Sequence, residues 1–151
     1  MIRTANHADA TMIAAMAYDM HKQSRFATDY PFDHDKFAQM LAVAIDSDTY
    51  CVRVSIEQDG TINGGLIGFV SPQFFSAAMV AQDVGMFVVP SARQAGIGKD
   101  LATAFYEWAC DVGAVDCEMG CNTGVARSGF GQLMDHMGFE NVGDLFSKRC
   151  R

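Results

Sequence analysis

The sequence has little positive charge. Its 151 residues include 11 lysines and arginines against 18 aspartates and glutamates, which gives a formal net charge of −7. A protein that binds along a nucleic acid neutralises phosphates with a basic surface, and this composition lacks the residues for one. The sequence therefore predicts no nucleic-acid partner, whereas its acidic balance is compatible with a cationic or amine-bearing acceptor.

Long apolar runs and a disulfide pattern are also missing. No run approaches the roughly 20 apolar residues of a membrane span, and residues 1–9 lack the apolar centre of a signal peptide. The cysteines number five, an odd count, and their spacings do not form a disulfide framework. Cys117 and Cys121 have no second Cys or His pair at ligand spacing, which favours free buried thiols over a metal site. We expect a cytoplasmic protein that uses neither a membrane nor a metal.

Hydrophobic residues make up 50% of the chain, enough to bury the core of one domain spanning residues 1–151. Apolar periodicities predict strands at 1–4, 50–57, 61–70, 80–89, 115–121 and 142–148, and helices at 11–23, 33–45, 97–112 and 127–137. Asp59-Gly60 is typical of a hairpin turn, and Ser71-Pro72-Gln73 is expected to interrupt its strand. This order predicts an α/β protein with a mixed sheet.

The most informative segment joins the strand at 80–89 to the helix that begins at Ile97. A glycine-bearing loop that leads directly into a helix points unpaired backbone N–H groups at one place. A phosphate or pyrophosphate suits that place, because the helix dipole and the free donors act together. Gly96 and Gly98 permit close approach of a ligand, and Arg93 or Lys99 can add charge-assisted contacts.

Two common nucleotide-binding loops do not fit this segment. The dinucleotide motif requires a third glycine where the chain has Leu101, and a Walker loop requires a glycine at Arg93 and a hydroxyl residue at Asp100. A strand-to-helix turn whose glycines serve only packing is the remaining alternative from spacing alone.

The wider pattern resembles the GCN5-related N-acetyltransferase (GNAT) superfamily. Val88-x-Pro90, then Arg93-x-x-Gly96-x-Gly98, matches the loop of that family, whose hallmark is [Q/R]-x-x-G-x-[G/A] after a strand ending in V-x-P. The order of elements fits along essentially the whole chain. The resemblance implies a mostly antiparallel central sheet flanked by about four helices. It also implies a splay between the strands at 80–89 and 115–121 that opens an acyl-CoA site.

The resemblance also implies which residues hold acetyl-CoA as the co-substrate. The strand backbone that pairs with the pantetheine arm corresponds to Met86, Phe87 and Val88. Arg93 opens the motif, and Asn122 resembles an asparagine that contacts coenzyme A. The pyrophosphate is expected on the backbone N–H groups of Gln94, Ala95, Gly96, Ile97, Gly98 and Lys99.

The catalytic groups are less clearly marked. Asp83 is the first candidate for a general base, because by alternation it shares a face with Phe87 in an apolar strand, which can raise its pKa. A solvent-facing Asp at a strand end is the equal alternative. Glu118 is the second candidate, with a solvent-side position as its alternative. The tyrosine that acts as general acid in many family members is replaced by Met134.

Only a cluster of aromatic residues in the sequence indicates where an acceptor could bind. An aromatic segment corresponds to the loop that lines the acceptor site in the family. Its side chains either line a substrate pocket or serve packing, and they are Phe26, Tyr30, Phe32 and His34.

Two hypotheses follow. The first is an acetyl-CoA-dependent N-acetyltransferase acting on a primary amine of a small molecule, a lysine or a protein N-terminus. The second is a catalytically idle coenzyme A-binding or protein-interaction module of the same fold, motivated by the missing tyrosine. An exposed sheet edge makes a homodimer reasonable.

Overall fold

The structure, a computed structural model, describes residues 1–150 and is built on one five-stranded sheet. The strands follow one another in space in the same order as in sequence. They are β1 (Ile2–Thr4), β2 (Tyr50–Ile56), β3 (Ile62–Pro72), β4 (Met79–Val88) and β5 (Asp116–Glu118). The first four strands pair antiparallel, and β5 pairs parallel to β4. The predicted mixed, mostly antiparallel sheet is confirmed.

The structure has four α-helices, as predicted, and three of them, α1, α2 and α3, pack against the sheet. They are α1 (Ala10–Gln23), α2 (His34–Ile45), α3 (Ile97–Asp111) and α4 (Arg127–His136), with short 3-10 turns at His7–Asp9 and Pro90–Ala92. The carboxylate of Asp33 caps α2 by accepting a hydrogen bond of 2.9 Å from the backbone N–H of Lys36. Gly96 begins α3 with φ +81°, a conformation that favours glycine.

The core has two parts, one on each face of the sheet. Between the sheet and the pair α1 and α2 lie Ile13, Leu41, Val54, Ile67 and Phe87. Between the sheet and α3 lie Cys51, Leu66, Ala81, Leu101 and Phe105. Each fully buried large apolar side chain contributes roughly 1.5–3 kcal/mol relative to exposure. The two parts fix α3 on one face and α1 and α2 on the other.

Glycines in β3 let α3 approach the sheet closely. A Cβ at Gly68 would lie 2.3 Å from Cε2 of Phe105, and a Cβ at Gly64 would lie 2.8 Å from Cγ2 of Ile97. Such distances are far shorter than van der Waals contact, so any larger residue would push the helix away. The start of α3 is therefore seated directly beside the end of β4.

A β-bulge in β4 reverses the alternation that the sequence predicts. Ile67 pairs with Gly85 whereas Gly68 pairs with Asp83, so Val84 is the extra residue. Asp83 consequently lies on the α3 face, the same face as its partner Gly68, while Phe87 belongs to the core under α1 and α2. The prediction that Asp83 and Phe87 share a face is wrong, because period-2 counting does not include a bulge.

The prediction of a C-terminal strand at 142–148 is also wrong. Among residues 139–150 the structure has no strand. The exposed fraction is 88% for Val142, 73% for Leu145 and 88% for Phe146. The amide oxygen of Asn141 instead accepts a bond of 3.2 Å from the N–H of Gly143. Apolar alternation favours an extended chain, but a strand also needs a paired edge.

Two strand ends differ from the prediction. β3 continues through the expected interruption, because Ser71 and Pro72 pair with Val80 and Met79 of β4. β5 is shorter than the predicted 115–121 and ends at Glu118. Its shortness matters for function, because the chain leaves the sheet where β4 continues.

Candidate active site

β4 and β5 separate into a V-shaped opening. They pair at Val80 with Asp116, Ala81 with Cys117, and Gln82 with Glu118, and the described residues contain no further pair. Beyond Gln82, the edge of β4 that faces away from β3 has no strand partner within the described chain. The predicted splay is therefore present. Met86, Phe87 and Val88 lie along this open edge, where an extended ligand can pair with their backbone.

The loop after β4 presents free backbone donors. Gln94 has φ +73° and Gly96 has φ +81°, and no side chain caps α3. Within residues 1–150, one set of N–H groups here makes no hydrogen bond, namely those of Gln94, Gly96, Ile97, Gly98 and Lys99. The N–H of Ala95 makes a bond of 3.4 Å to the C=O of Ala92. This loop and the positive end of the α3 dipole form a cradle suited to an anion.

Two basic side chains border the cradle in different ways. Lys99 Nζ lies 3.3 Å from Nε2 of His136 at the end of α4. Arg93 donates from Nε to the C=O of Val88 at 3.3 Å and from Nη2 to Oε1 of Gln23 at 3.4 Å. The guanidinium of Arg93 thus ties the loop to the end of β4 and the end of α1, while Lys99 carries a cation near the free N–H groups.

Asp83 lies at the apex of the splay. Its Oδ1 accepts a hydrogen bond of 2.8 Å from the N–H of Gly120, which follows β5. Burial raises the pKa of Asp83 to about 6, and the Gly120 N–H partly offsets this effect because it stabilises the carboxylate. A carboxyl group that titrates close to neutral pH can take a proton from a reacting amine.

The thiol of Cys117 is beside Asp83 and stays protonated. Burial, with the nearby negative charge of Asp116 as a smaller cause, raises the pKa of Cys117 to about 12. A thiol in that state is a poor nucleophile. All five cysteines are free.

Glu118 lies on the opposite face of the sheet from Asp83. It pairs in register with Gln82, the neighbour of Asp83 in β4, and its Oε2 accepts a bond of 2.7 Å from Nε2 of Gln82. Because successive strand residues point to opposite faces, the two carboxylates do not form a joint acid–base pair. The structure therefore brings Asp83 to the buried side of the splay and leaves Glu118 exposed.

Asn122 and Met134 complete the predicted set. The backbone C=O of Asn122 accepts a hydrogen bond of 2.6 Å from Nε of Arg25. Met134 is buried, and its C=O accepts a bond of 3.0 Å from the N–H of Phe139. A thioether has no proton to donate, so this position supplies no acid.

The connection between α1 and α2 carries the aromatic segment. Phe26 packs edge to face with Tyr30 at 5.4 Å between ring centroids. Phe32 contacts the ring of Tyr18 at 5.3 Å and that of His34 at 4.9 Å. The aromatic segment is thus partly packing, whereas the ring of Tyr30 has 62% of its surface exposed.

Sequence reasoning missed three residues of this site: Gln82, Gly120 and Arg25. Gln82 is adjacent to Asp83 in a strand already identified, so pairing it with Glu118 required only the register of β4 and β5. Arg25 and Gly120 carry no local pattern. Their partners Asn122 and Asp83 are 97 and 37 positions away, so no spacing rule points to them.

Comparison with known families assigns this geometry to a class. Residues 14–128 match the sequence profile of the Acetyltransferase (GNAT) family. The chain belongs to the GNAT acetyltransferase family. The matched range runs from within α1 to the start of α4 and therefore includes the open edge of β4 and the cradle.

Solved structures share the fold over nearly the whole chain. A transcriptional regulator from Bacillus halodurans C-125 is 18% identical with a TM-score of 0.79, covering 99% of this chain and 98% of that one. The enzyme AAC(6')-Iy, in complex with a bisubstrate analogue, CoA-S-monomethyl-acetylneamine, is 21% identical with a TM-score of 0.75, covering 100% and 97%. Glucosamine-6-phosphate N-acetyltransferase from Arabidopsis thaliana is 14% identical with a TM-score of 0.73, covering 100% and 98%.

Other comparisons return less. No curated protein sequence matches the chain. Across residues 1–150, no helix combines the length and the apolar character needed to cross a membrane. In the same part of the chain, no three His, Cys, Asp or Glu side chains are grouped so as to hold a metal ion.

Proposed function

We propose that this protein is an acetyl-CoA-dependent N-acetyltransferase that moves an acetyl group directly to a primary amine. The observation that carries the proposal is the meeting of two features at the end of β4. An unpaired strand edge suits the extended arm of coenzyme A, and the free N–H groups of the loop at 93–99 suit its pyrophosphate. The family supports this, since two of its members of known structure are N-acetyltransferases or bind a coenzyme A bisubstrate analogue.

Each predicted binding residue has a place in this proposal. The backbone of Met86, Phe87 and Val88 pairs with the pantetheine arm, while the loop N–H groups hold the pyrophosphate and Lys99 adds positive charge. Arg93 keeps the loop closed against the end of β4. The exposed side chain of Asn122 is free to contact coenzyme A from the other wall of the cleft.

The proposed chemistry is a direct transfer. Asp83, through a water molecule, takes a proton from the ammonium form of the acceptor. The neutral amine nitrogen then attacks the thioester carbonyl, a C–N bond forms, the nitrogen releases its extra proton to solvent, and the C–S bond breaks. Because Met134 supplies no proton, the sulfur leaves as a thiolate and is protonated by solvent. The amide and free coenzyme A are the products.

Two alternatives concern catalysis. Glu118, which faces the side of α1 and α2, is the second candidate for the base. The catalytically idle binding module is motivated by Met134, but it gives no account of a half-buried carboxyl group at the apex of the splay. The half-buried position and raised pKa of Asp83 favour the enzyme.

The wider setting also belongs to the proposal. The acceptor is a small molecule, a lysine side chain or a protein N-terminus. One domain over residues 1–151 carries the activity, without nucleic acid or membrane. Five free thiols suit a reducing cytoplasm, and the open edge of β5 offers a surface for a homodimer.

Calorimetry with acetyl-CoA tests the proposal, followed by a panel of amines with released thiol as the readout. We expect micromolar binding and turnover of at least one amine. Absence of binding at millimolar acetyl-CoA would contradict the whole proposal. Binding without turnover of any amine would instead support the idle module.

A further inference from the structure

We propose that Arg25 is a positioning residue that holds residues 120–123 so that the N–H of Gly120 stays on the carboxylate of Asp83. This inference rests on the proposed function, in which Asp83 is the base. Arg25 itself lies between α1 and α2, outside the coenzyme A cradle. It links the connection between α1 and α2 to the apex of the splay.

Arg25 makes two hydrogen bonds to residues 120–123. Its side-chain Nε donates to the C=O of Asn122 at 2.6 Å, and its backbone N–H donates to the C=O of Thr123 at 2.9 Å. The first bond carries the guanidinium charge and is short, as charge-assisted bonds are. The guanidinium also lies 4.5 Å from the ring centroid of Phe26, a cation–π contact that limits the rotamers of Arg25.

Residues 120–123 are held by few other hydrogen bonds. It follows β5, has no regular structure, and closes on itself through a bond of 3.2 Å from the N–H of Val125 to Oγ1 of Thr123. The thiol of Cys121 donates to the C=O of Val125 at 3.6 Å. Toward the sheet, the bond from Gly120 to Asp83 is its tether. Arg25 therefore holds residues 120–123 in place over the apex of the splay.

The connection has a chemical consequence for Asp83. Gly120 N–H favours the charged form of the carboxyl group, whereas burial disfavours it. The titratable group facing Asp83 from β5 is the thiol of Cys117, and β3 presents Gly68 opposite it. The pKa of Asp83 is set by burial and backbone N–H groups, with no neighbouring charge among its causes. Release of the Gly120 bond therefore raises the pKa of Asp83.

Two other roles for Arg25 make different predictions. A residue that contacts only the acceptor changes KM and leaves the titration of Asp83 in the free protein unaltered. A residue that only stabilises the fold lowers Tm without a specific change at Asp83. The titration of Asp83 in the absence of substrate therefore separates positioning from both.

The experiment measures that titration by NMR of the full chain carrying ¹³C-carboxyl aspartate, with Asp83→Asn to identify the resonance. We expect the pKa of Asp83 to rise in Arg25→Ala and to lie between the two in Arg25→Lys, which keeps a donor and a charge. The matched control is Arg149→Ala, because Arg149 forms its ion pair, of 2.7 Å, with Asp29 of the same connection. It should leave the titration unchanged.

Turnover supplies the second readout. In Arg25→Ala the acid limb of kcat/KM should move to higher pH, with a loss of roughly tenfold at pH 6 that shrinks as the pH rises. An unchanged titration in Arg25→Ala, or an equal rise in Arg149→Ala, overturns the inference. If no amine is turned over, the proposed function fails, yet the titration still decides whether Arg25 positions Asp83.

Discussion

The two walls of the cleft are built in different ways. The first wall, β4 with the start of α3, is held by the hydrogen bonds of the sheet and by fully buried side chains such as Leu101 and Phe105. The second wall, residues 119–126, has no regular structure and depends on a few long-range bonds, chiefly from Arg25 and to Asp83. The rigid wall suits a constant ligand such as coenzyme A, whereas the loosely held wall suits adjustment to an acceptor.

The largest expected effect tests the point where the walls meet. Asp83→Asn should lower kcat/KM by roughly 10² to 10⁴, because it removes the proposed base but keeps an oxygen that can accept the Gly120 bond. Since the raised pKa of Asp83 is about 6, the activity of the unmodified protein should fall as the pH drops below 6. The residual activity of the variant should not show this fall. Steady-state kinetics between pH 5 and 9 measure both.

The matched control for this variant is Glu118→Gln on the opposite face, which should change the rate far less. Equal rates for Asp83→Asn and the unmodified protein would remove Asp83 as the base. A larger loss in Glu118→Gln would move that role to the exposed carboxylate.

The first wall is tested most directly at its cradle. Gly96→Glu should weaken acetyl-CoA binding by roughly a hundredfold or more, because it strains a left-handed backbone position and brings a negative charge to a site suited to phosphate. Calorimetry measures the loss. Gly113→Ala is the control: it adds a similar strain at φ +75° at the end of α3, away from the cradle, and should bind acetyl-CoA normally. Normal binding by Gly96→Glu would place the ligand elsewhere.

Much of the first wall is readable from the sequence. The strand ending in Val88-x-Pro90 and the helix with Leu101 and Phe105 are stretches whose pattern follows from their own geometry. The second wall is not readable in this way. Arg25 meets Asn122 across 97 positions, and the bulge at Val84 depends on pairing with β3. Both are set by tertiary contacts, which leave no period in the chain.

The position of Asp83 at the apex should lower the free energy of unfolding at neutral and alkaline pH. Its pKa is raised from 3.8 to about 6, so the folded state binds this proton more tightly than the unfolded chain does. The stability from that proton is present below pH 3.8 and is lost as the pH rises through 6. Asp83→Asn should therefore be more stable than the unmodified protein at pH 8 by about 1–3 kcal/mol, and about equal at pH 4. Urea unfolding at both pH values measures the difference, and no gain at pH 8 would contradict the burial of the charge.

The packing that supports the first wall, between β3 and α3, should tolerate little change. Gly68→Ala should cost about 1–3 kcal/mol, because its Cβ would lie 2.3 Å from Phe105. Gly129→Ala offers the contrast, since it lies within α4 and a Cβ there meets nothing within 4 Å. It should stabilise the protein by roughly 0.5–1 kcal/mol. Thermal unfolding of both variants compares the close packing of β3 against α3 with the open surface of α4, and equal effects would remove the distinction.

The smallest effect is expected in the C-terminal residues. Phe146→Ser should change the free energy of unfolding by less than about 0.5 kcal/mol, because Phe146 is 88% exposed and its segment pairs with no strand. The test is unfolding at low and high protein concentration, with Ile67→Val as a buried reference that costs roughly 0.5–1.5 kcal/mol. A loss in Phe146→Ser that appears only at high concentration would mean that the segment pairs between chains. The alternation at 142–148 would then describe a strand formed in a homodimer, and the free edge of β5 would be its natural partner.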